Sequence, residues 1–152
     1  MRWTMIAIVM FCTPIAAQGQ RPGDGGVSAP EVASALKEAG YPAVIGADRS
    51  GDPLVRSSTG KAAFDVYFYQ CSAQRRCTSI QFITPYRRKG VTQTTIAAWH
   101  RDRRFGRAWL DNGIPWLSMD VETSRGVTTE ALVANIDRWI TVVTAFEVFA
   151  GR

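Results

Sequence analysis

The stretch FDVYFYQCSAQRRCTSIQF, residues 64–82, decides how this chain folds. Apolar side chains recur at every second position, which is the period of a β-strand with one buried face. The apolar set comprises Phe64, Val66, Phe68, Ile80 and Phe82. Two cysteines interrupt the set at its middle. The stretch therefore predicts two antiparallel strands joined by a turn.

The two cysteines, Cys71 and Cys77, stand near the turn of this hairpin. If they lie opposite each other, Phe68 faces Ile80 and every large apolar side chain of the set falls on one face. A slip of one residue would pair opposite faces of the two strands. The cysteines and the hydrophobic pattern thus favour the same register. We predict a structural Cys71–Cys77 disulfide that contributes about 2 kcal/mol to stability.

Helix and turn signals on both sides of the hairpin predict the remaining elements. Ser28-Ala29-Pro30-Glu31 is a capping-box start for a helix. Asn112-Gly113, between two alternating runs, is typical of a two-residue hairpin turn. The predicted elements are a helix over about 30–39, strands over about 43–46 and 53–57, the hairpin over 62–84, a helix over 92–104, the hairpin around 112–113 and a helix over about 129–149. This order predicts one α+β domain with a largely antiparallel sheet of about five to six strands and three helices.

The second face of the predicted sheet carries a different set of side chains. In the Asn-Gly register Trp109 faces Trp116, and in the cysteine register Tyr67 faces Gln81. Large aromatic side chains with arginine are typical of protein-binding hot spots. The competing interpretation is a helix packed on this face, which would make the aromatic side chains part of the core. The candidate partner-binding residues are Tyr67, Tyr69, Trp109, Trp116 and Arg107.

Composition and motifs argue against catalysis and against a bound cofactor. The 152 residues suffice for one core, and they include 18 Lys and Arg, 13 Asp and Glu and a single His, for a formal net charge of +5. One histidine excludes a His-rich metal site. The chain also has no dinucleotide, P-loop, zinc-peptidase or nucleophile-elbow motif. We predict that the protein is not an enzyme, with no cofactor, no metal and no catalytic residue, and that His100 is structural or solvent-exposed.

The amino-terminal segment is typical of a secretory signal peptide. A basic residue precedes the apolar run WTMIAIVMFCTPIAA, residues 3–17, which is shorter than the roughly 20 residues of a membrane-spanning helix. Cleavage after Ala17 or after Gly19 would suit the small-residue rule, and both remove Cys12. We predict a periplasmic or secreted bacterial protein with no integral membrane anchor after cleavage.

This segment sets the predicted division of the chain. Residues 1–19 are the signal peptide, and residues 20–28 are a Gly-rich flexible leader that contributes nothing to the core. Residues 29–152 are the α+β domain. Cleavage leaves Cys71 and Cys77, and two cysteines in an exported domain favour a disulfide.

Three segments cover most of the predicted domain from Ala39 to Asp120: AGYPAVIGADRSGDPLVRS (39–57), FDVYFYQCSAQRRCTSIQF (64–82) and WHRDRRFGRAWLDNGIPWLSMDV (99–121). On these segments the chain resembles the YbjN-domain family of bacterial proteins. At two positions the chain departs from the family, because His100 stands where Asn is usual and Trp109 stands where Tyr is common. The resemblance implies a fold similar to type III secretion chaperones, a role in the regulation of sensory, motility or stress responses, and no established enzyme activity.

Arginines are dense between the second predicted helix and the strand that follows it. The candidate anion-binding residues are Arg101, Arg103 and Arg104. In a cytosolic protein such a cluster would indicate nucleic acid, but export argues against that partner. The competing interpretation is a group of solvated cations partly paired with Asp102 and Asp111.

We therefore predict a regulatory or chaperone-like module of sensory transduction that binds an unidentified protein partner on the aromatic face. The alternative is a binder of an anionic envelope polymer or ligand through the arginine cluster, whose affinity would fall steeply with salt. Neither hypothesis includes nucleic acid. The oligomeric state, including a homodimer, stays open.

Overall fold

The computed structural model describes residues 25–88 and 90–151 of the 152-residue chain. Neighbouring strands run antiparallel in one six-stranded sheet with the order β1-β2-β3-β4-β6-β5. The predicted α+β class, with three helices and a largely antiparallel sheet, is confirmed. The helices are α1 (Ala29–Glu38), α2 (Gln93–Asp102) and α3 (Thr129–Ala150), and the strands are β1 (Val44–Ala47), β2 (Pro53–Ser58), β3 (Ala63–Cys71), β4 (Cys77–Pro85), β5 (Arg107–Asp111) and β6 (Ile114–Glu122).

The β3–β4 hairpin has the register that the sequence predicts. Phe68 pairs with Ile80, and Cys71 pairs with Cys77. These two cysteines form the predicted disulfide. The inward-facing side chains of both strands are buried, which is the arrangement that a slip of one residue would have destroyed.

The β5–β6 hairpin also has its predicted register, with Trp109 opposite Trp116. Its turn residues Asn112 and Gly113 have φ angles of 48° and 77°. Positive φ at both central positions is what a type I′ turn requires, and Asn-Gly supplies it at low steric cost. A local turn signal therefore fixes which side chains of the two strands share a face.

The three helices lie on one face of the sheet. Trp139 of α3 packs against Phe64 and Phe82, with ring centroids 5.9 Å and 5.8 Å apart. Trp99 of α2 meets Phe146 of α3 edge-on at 5.0 Å, and α1 contacts α3, β1 and β2. The buried side chains of the helices and of the inward sheet positions form one hydrophobic core.

The end of the predicted leader belongs to this fold. Val27 is 1% exposed and lies in the core, and its backbone exchanges two hydrogen bonds with Cys77, of 2.9 Å and 2.8 Å. The expectation that the leader contributes nothing to the core is therefore wrong at Val27. Gly26 has a φ of 87°, and a Cβ there would lie 2.8 Å from the Cys77 carbonyl oxygen, so this glycine permits close backbone approach. Residues 1–24, with the predicted signal peptide, lie outside the described residues.

An ion pair, which we call the Arg76 latch, fastens the start of α1 to the β3–β4 turn. Arg76 donates through Nη1 to Glu31 Oε2 at 3.1 Å and through Nη2 to the Gly26 carbonyl oxygen at 2.8 Å. Ser28 donates to Glu31 Oε2 through its backbone N at 2.8 Å and through Oγ at 2.6 Å. Burial by itself raises the pKa of Glu31, but the bonds from Ser28 and the charge of Arg76 outweigh it and hold that pKa below its ordinary value.

Candidate functional site

The side of the sheet that turns away from the helices is the candidate site, and we call it the open face. Among the described residues, all three helices pack on the opposite side, so no helix covers it. Tyr69 is 44% exposed, and Tyr67, Trp109 and Trp116 are half-buried. The described structure therefore favours the interpretation of an accessible aromatic surface over that of a second core layer.

Three of its side chains stack along the β5–β6 hairpin. The rings of Trp109 and Trp116 are 6.1 Å apart between centroids and nearly parallel, at 14°. The guanidinium of Arg107 lies 5.0 Å from the centroid of Trp109. Such cation–π and stacking contacts hold large side chains in one orientation without burying them. The hairpin thus presents a fixed ladder of Arg107, Trp109 and Trp116.

A chain of hydrogen bonds crosses the open face from β3 to β6. Tyr69 donates its hydroxyl to Gln81 Oε1 at 3.3 Å, and Gln81 donates through Nε2 to Asp120 Oδ1 at 2.7 Å. Partial burial raises the pKa of Tyr69, and the nearby charge of Asp120 raises it further, so the phenol stays protonated as a donor. The chain orients an amide and a carboxylate beside the aromatic rings.

A groove of about 510 Å³ runs over β3, β4 and β6 on the open face. Tyr67, Tyr69 and Trp116 line it together, so the structure brings three of the five predicted partner-binding residues to one groove. Trp109 and Arg107 stand on the adjoining strand β5. Other lining residues are Ala63, Phe64, Asp65, Gln81, Ile83, Pro85 and Arg87.

Ile83 and Arg87 are among the groove residues that the sequence did not predict as partner-binding. Ile83 follows Gln81 by two positions on β4, so extending the strand alternation would have found it. Arg87 lies after the end of β4, where no periodicity applies, and only the fold places it at the groove. At the same end, burial raises the pKa of Asp65, and this effect is opposed by the charge of Arg56 on β2.

The predicted arginine cluster is divided among several contacts. Arg101 pairs with Asp102, with Nε 3.0 Å from Oδ1. The guanidinium of Arg103 lies 5.7 Å from the centroid of Trp99, and that of Arg104 lies 5.6 Å from the centroid of Phe105. Of the predicted pairing with Asp102, the structure shows the ion pair with Arg101.

Pairing of the arginines with Asp111 is not found among the described residues. That carboxylate instead accepts a hydrogen bond from Asn112 Nδ2 at 3.2 Å. The strand separates them, because Asp111 stands at the end of β5, whereas Arg101, Arg103 and Arg104 lie before its opposite end at Arg107.

The single histidine makes a structural contact. His100 is exposed, and its Nε2 lies 2.9 Å from the carbonyl oxygen of Ala108. A carbonyl oxygen only accepts, so Nε2 carries the proton and the ring ties α2 to β5. Within residues 25–88 and 90–151, His, Cys, Asp and Glu side chains form no group of three or more able to hold a metal ion. In the same residues, no helix has the length and apolar character to cross a membrane.

Fold and site together define an α+β domain with one helix-covered and one open, aromatic sheet face. The YbjN family profile, described as "Putative bacterial sensory transduction regulator", matches residues 28–148. Because this match covers most of the chain, the protein belongs to the YbjN family. The family is described as a regulator and not as an enzyme. No curated protein and no solved structure matches the chain, so the similarity to type III secretion chaperones stays a prediction.

Proposed function

We propose that this YbjN protein is an exported regulatory module that binds a segment of a protein partner in the groove of the open face. The observation that carries the proposal is the exposure of an ordered aromatic surface: Tyr67, Tyr69 and Trp116 share one groove, and no described helix covers it. Membership of a family of sensory transduction regulators supports a regulatory role.

Energetic arguments favour a protein segment as the occupant. Tyrosine, tryptophan and arginine are enriched among the hot-spot residues of protein interfaces, whose truncation costs about 2 kcal/mol or more each. The groove also offers Gln81 as a hydrogen-bonding group and the carboxylate of Asp120 beside it. The stacked and hydrogen-bonded side chains are already ordered, so binding loses little further side-chain entropy.

Export rests on two independent features of the chain. Residues 1–19 have the pattern of a signal peptide, and the Cys71–Cys77 disulfide is the kind of bond that persists in oxidising compartments. We expect the intact mass of protein recovered from the cell envelope or medium to lack residues 1–17 or 1–19. Both remaining thiols should resist alkylation until they are reduced. An uncleaved mass, or free thiols before reduction, would contradict export.

The binding experiment is affinity capture from an envelope extract, followed by titration of the identified partner. Trp109→Ala and Trp116→Ala are compared with Val148→Ala, which removes a side chain that is 58% exposed on α3, away from the open face. We expect each tryptophan variant to bind about tenfold more weakly or worse and Val148→Ala to bind like the unaltered protein. Equal affinity of all four proteins would overturn the proposed site.

The alternative, an anionic envelope polymer bound by Arg101, Arg103 and Arg104, has one supporting observation. Arg103 and Arg104 lie over aromatic rings, and within the part of the chain that the structure describes neither forms an ion pair with a carboxylate. Binding of this kind falls steeply with ionic strength. Capture that depends on the open-face tryptophans and survives high salt would exclude the alternative.

A further inference from the structure

An exposed phenylalanine lies between two arginines on the helix side of the molecule. Phe105 is 47% exposed. The guanidinium of Arg104 lies 5.6 Å and that of Arg138 lies 5.0 Å from the centroid of its ring. Arg104 is a neighbour along the chain, whereas Arg138 comes from α3, so the fold itself assembles this arrangement.

Contacts with α2 and α3 fix the loop that carries Phe105. Trp99 donates through Nε1 to the carbonyl oxygen of Gly106 at 2.7 Å. Gly106 has a φ of 84°, and a Cβ there would come within 2.5 Å of Val142 Cγ1 on α3. The loop therefore rests directly on α3. Phe105 thus stands next to a glycine that is fixed against α3, and 47% of its surface stays exposed there.

Positive charge lies on both sides of this ring. We call Arg103, Arg104, Arg138 and Phe105 the Arg-Phe patch, because Arg104 and Arg138 lie over Phe105, and Arg103 lies over Trp99, which holds the same loop. Among the described residues, none of these three arginines forms an ion pair. Their neighbours along the chain include the carboxylates Asp102, which pairs with Arg101, and Asp137.

Stacking leaves the arginines able to bind an anion. A guanidinium that lies over an aromatic ring uses its face, and its N–H groups point outward along the edge. Those N–H groups match the oxygens of phosphate. Arg103 and Arg104 therefore keep donors for phosphate while they pack on Trp99 and Phe105.

Apolar surface adjoins the cations. A groove of about 450 Å³ on the outer side of α3 is bordered by Arg103 and lined by Ile140, Thr141, Thr144, Ala145 and Val148. Val148 is 58% exposed. Exposed apolar side chains flanked by arginine are the composition of surfaces that lie on anionic membranes, where the apolar groups enter the headgroup boundary. A soluble polyanion would use the charges and gain nothing from Phe105.

We propose that the Arg-Phe patch binds the surface of an anionic phospholipid bilayer, with Phe105 inserted at the headgroup boundary and the arginines on lipid phosphates. This goes beyond the proposed function, because it assigns a second surface. The patch lies on the helix side of the sheet, so a membrane-bound molecule keeps its open face free for a protein partner.

The test is cosedimentation of the purified protein with vesicles of phosphatidylglycerol and phosphatidylcholine, and with vesicles of phosphatidylcholine alone. We expect binding only when phosphatidylglycerol is present, and weaker binding as salt rises. Phe105→Ala and the double variant Arg104→Gln with Arg138→Gln should each lower the partition coefficient about tenfold. Tyr69→Ala, on the open face, should bind like the unaltered protein.

A variant that binds vesicles more strongly can distinguish insertion of the residue 105 side chain from attraction by charge alone. Phe105→Trp should raise the partition coefficient, because tryptophan prefers the membrane interface. Absence of phosphatidylglycerol-dependent binding at low salt would overturn the proposal. The proposal would also be overturned if Phe105→Ala bound the vesicles like the unaltered protein and soluble polyphosphate competed fully for binding. That result would indicate a site for polyanions. Circular dichroism spectra of the variants must match that of the unaltered protein.

Discussion

The same strands build both faces of the sheet, but one face packs against the helices and the other is open to solvent. On the covered face Phe82 is 1% exposed and packs against Trp139. One residue earlier, Gln81 points to the open face and joins the hydrogen bonds between Tyr69 and Asp120. Because strand side chains alternate with a period of two, neighbours in the sequence contribute separately to stability and to recognition. Substitutions should therefore separate the two properties cleanly.

The largest expected effect is on the covered face. Phe82→Ala removes a buried ring that touches Phe64 and Trp139, and it should lower the free energy of unfolding by about 3 to 5 kcal/mol. Gln81→Ala is the matched control on the open face and should lower it by less than about 1 kcal/mol. Urea denaturation monitored by circular dichroism measures both. Equal losses would mean that both faces contribute to the core.

The disulfide comes next. Cys71→Ala with Cys77→Ala should lower the free energy of unfolding by about 2 kcal/mol, because the closed loop is short. The hydrophobic alternation still favours the native register, so the native circular dichroism spectrum should persist. Reduction of the unaltered protein with dithiothreitol should give a similar loss. A stability unchanged by reduction would show that the bond is absent in solution.

The Arg76 latch should have a smaller effect that depends on pH. Arg76→Ala removes hydrogen bonds to Glu31 and Gly26 and should lower the free energy of unfolding by about 1 kcal/mol. The folded protein holds the pKa of Glu31 below its unfolded value of about 4.3. Folding therefore gains stability from this carboxylate above that pH and loses it as the pH falls through the folded pKa. Glu31→Gln has no carboxylate to protonate, so its free energy of unfolding, measured by denaturation across the acid range, should fall less with decreasing pH than that of the unaltered protein. An equal fall in both proteins would contradict the role of the latch.

Local signals predicted the registers, and long-range contacts escaped prediction. Asn112-Gly113 and the cysteine pair each act over a few residues, so both hairpins could be read from the sequence. Gly-rich composition, in contrast, indicated a flexible leader, although Val27 pairs with the distant Cys77.

Long-range packing also limited what the sequence could predict about the two candidate surfaces. Alternation revealed that Tyr67 and Trp116 share a face, but not that all three helices would pack on the other one. Phe105 gave no signal, because Arg138 reaches it only through the packing of α3 under the loop.

The double variant Trp109→Ala with Trp116→Ala tests the separation of the two faces most directly. Its free energy of unfolding, from urea denaturation, and its Kd for the captured partner are measured on the same preparation. We expect a free energy of unfolding within about 1 kcal/mol of that of the unaltered protein and an affinity lower by more than about tenfold. Unaltered affinity, or a loss of stability as large as that of Phe82→Ala, would contradict it.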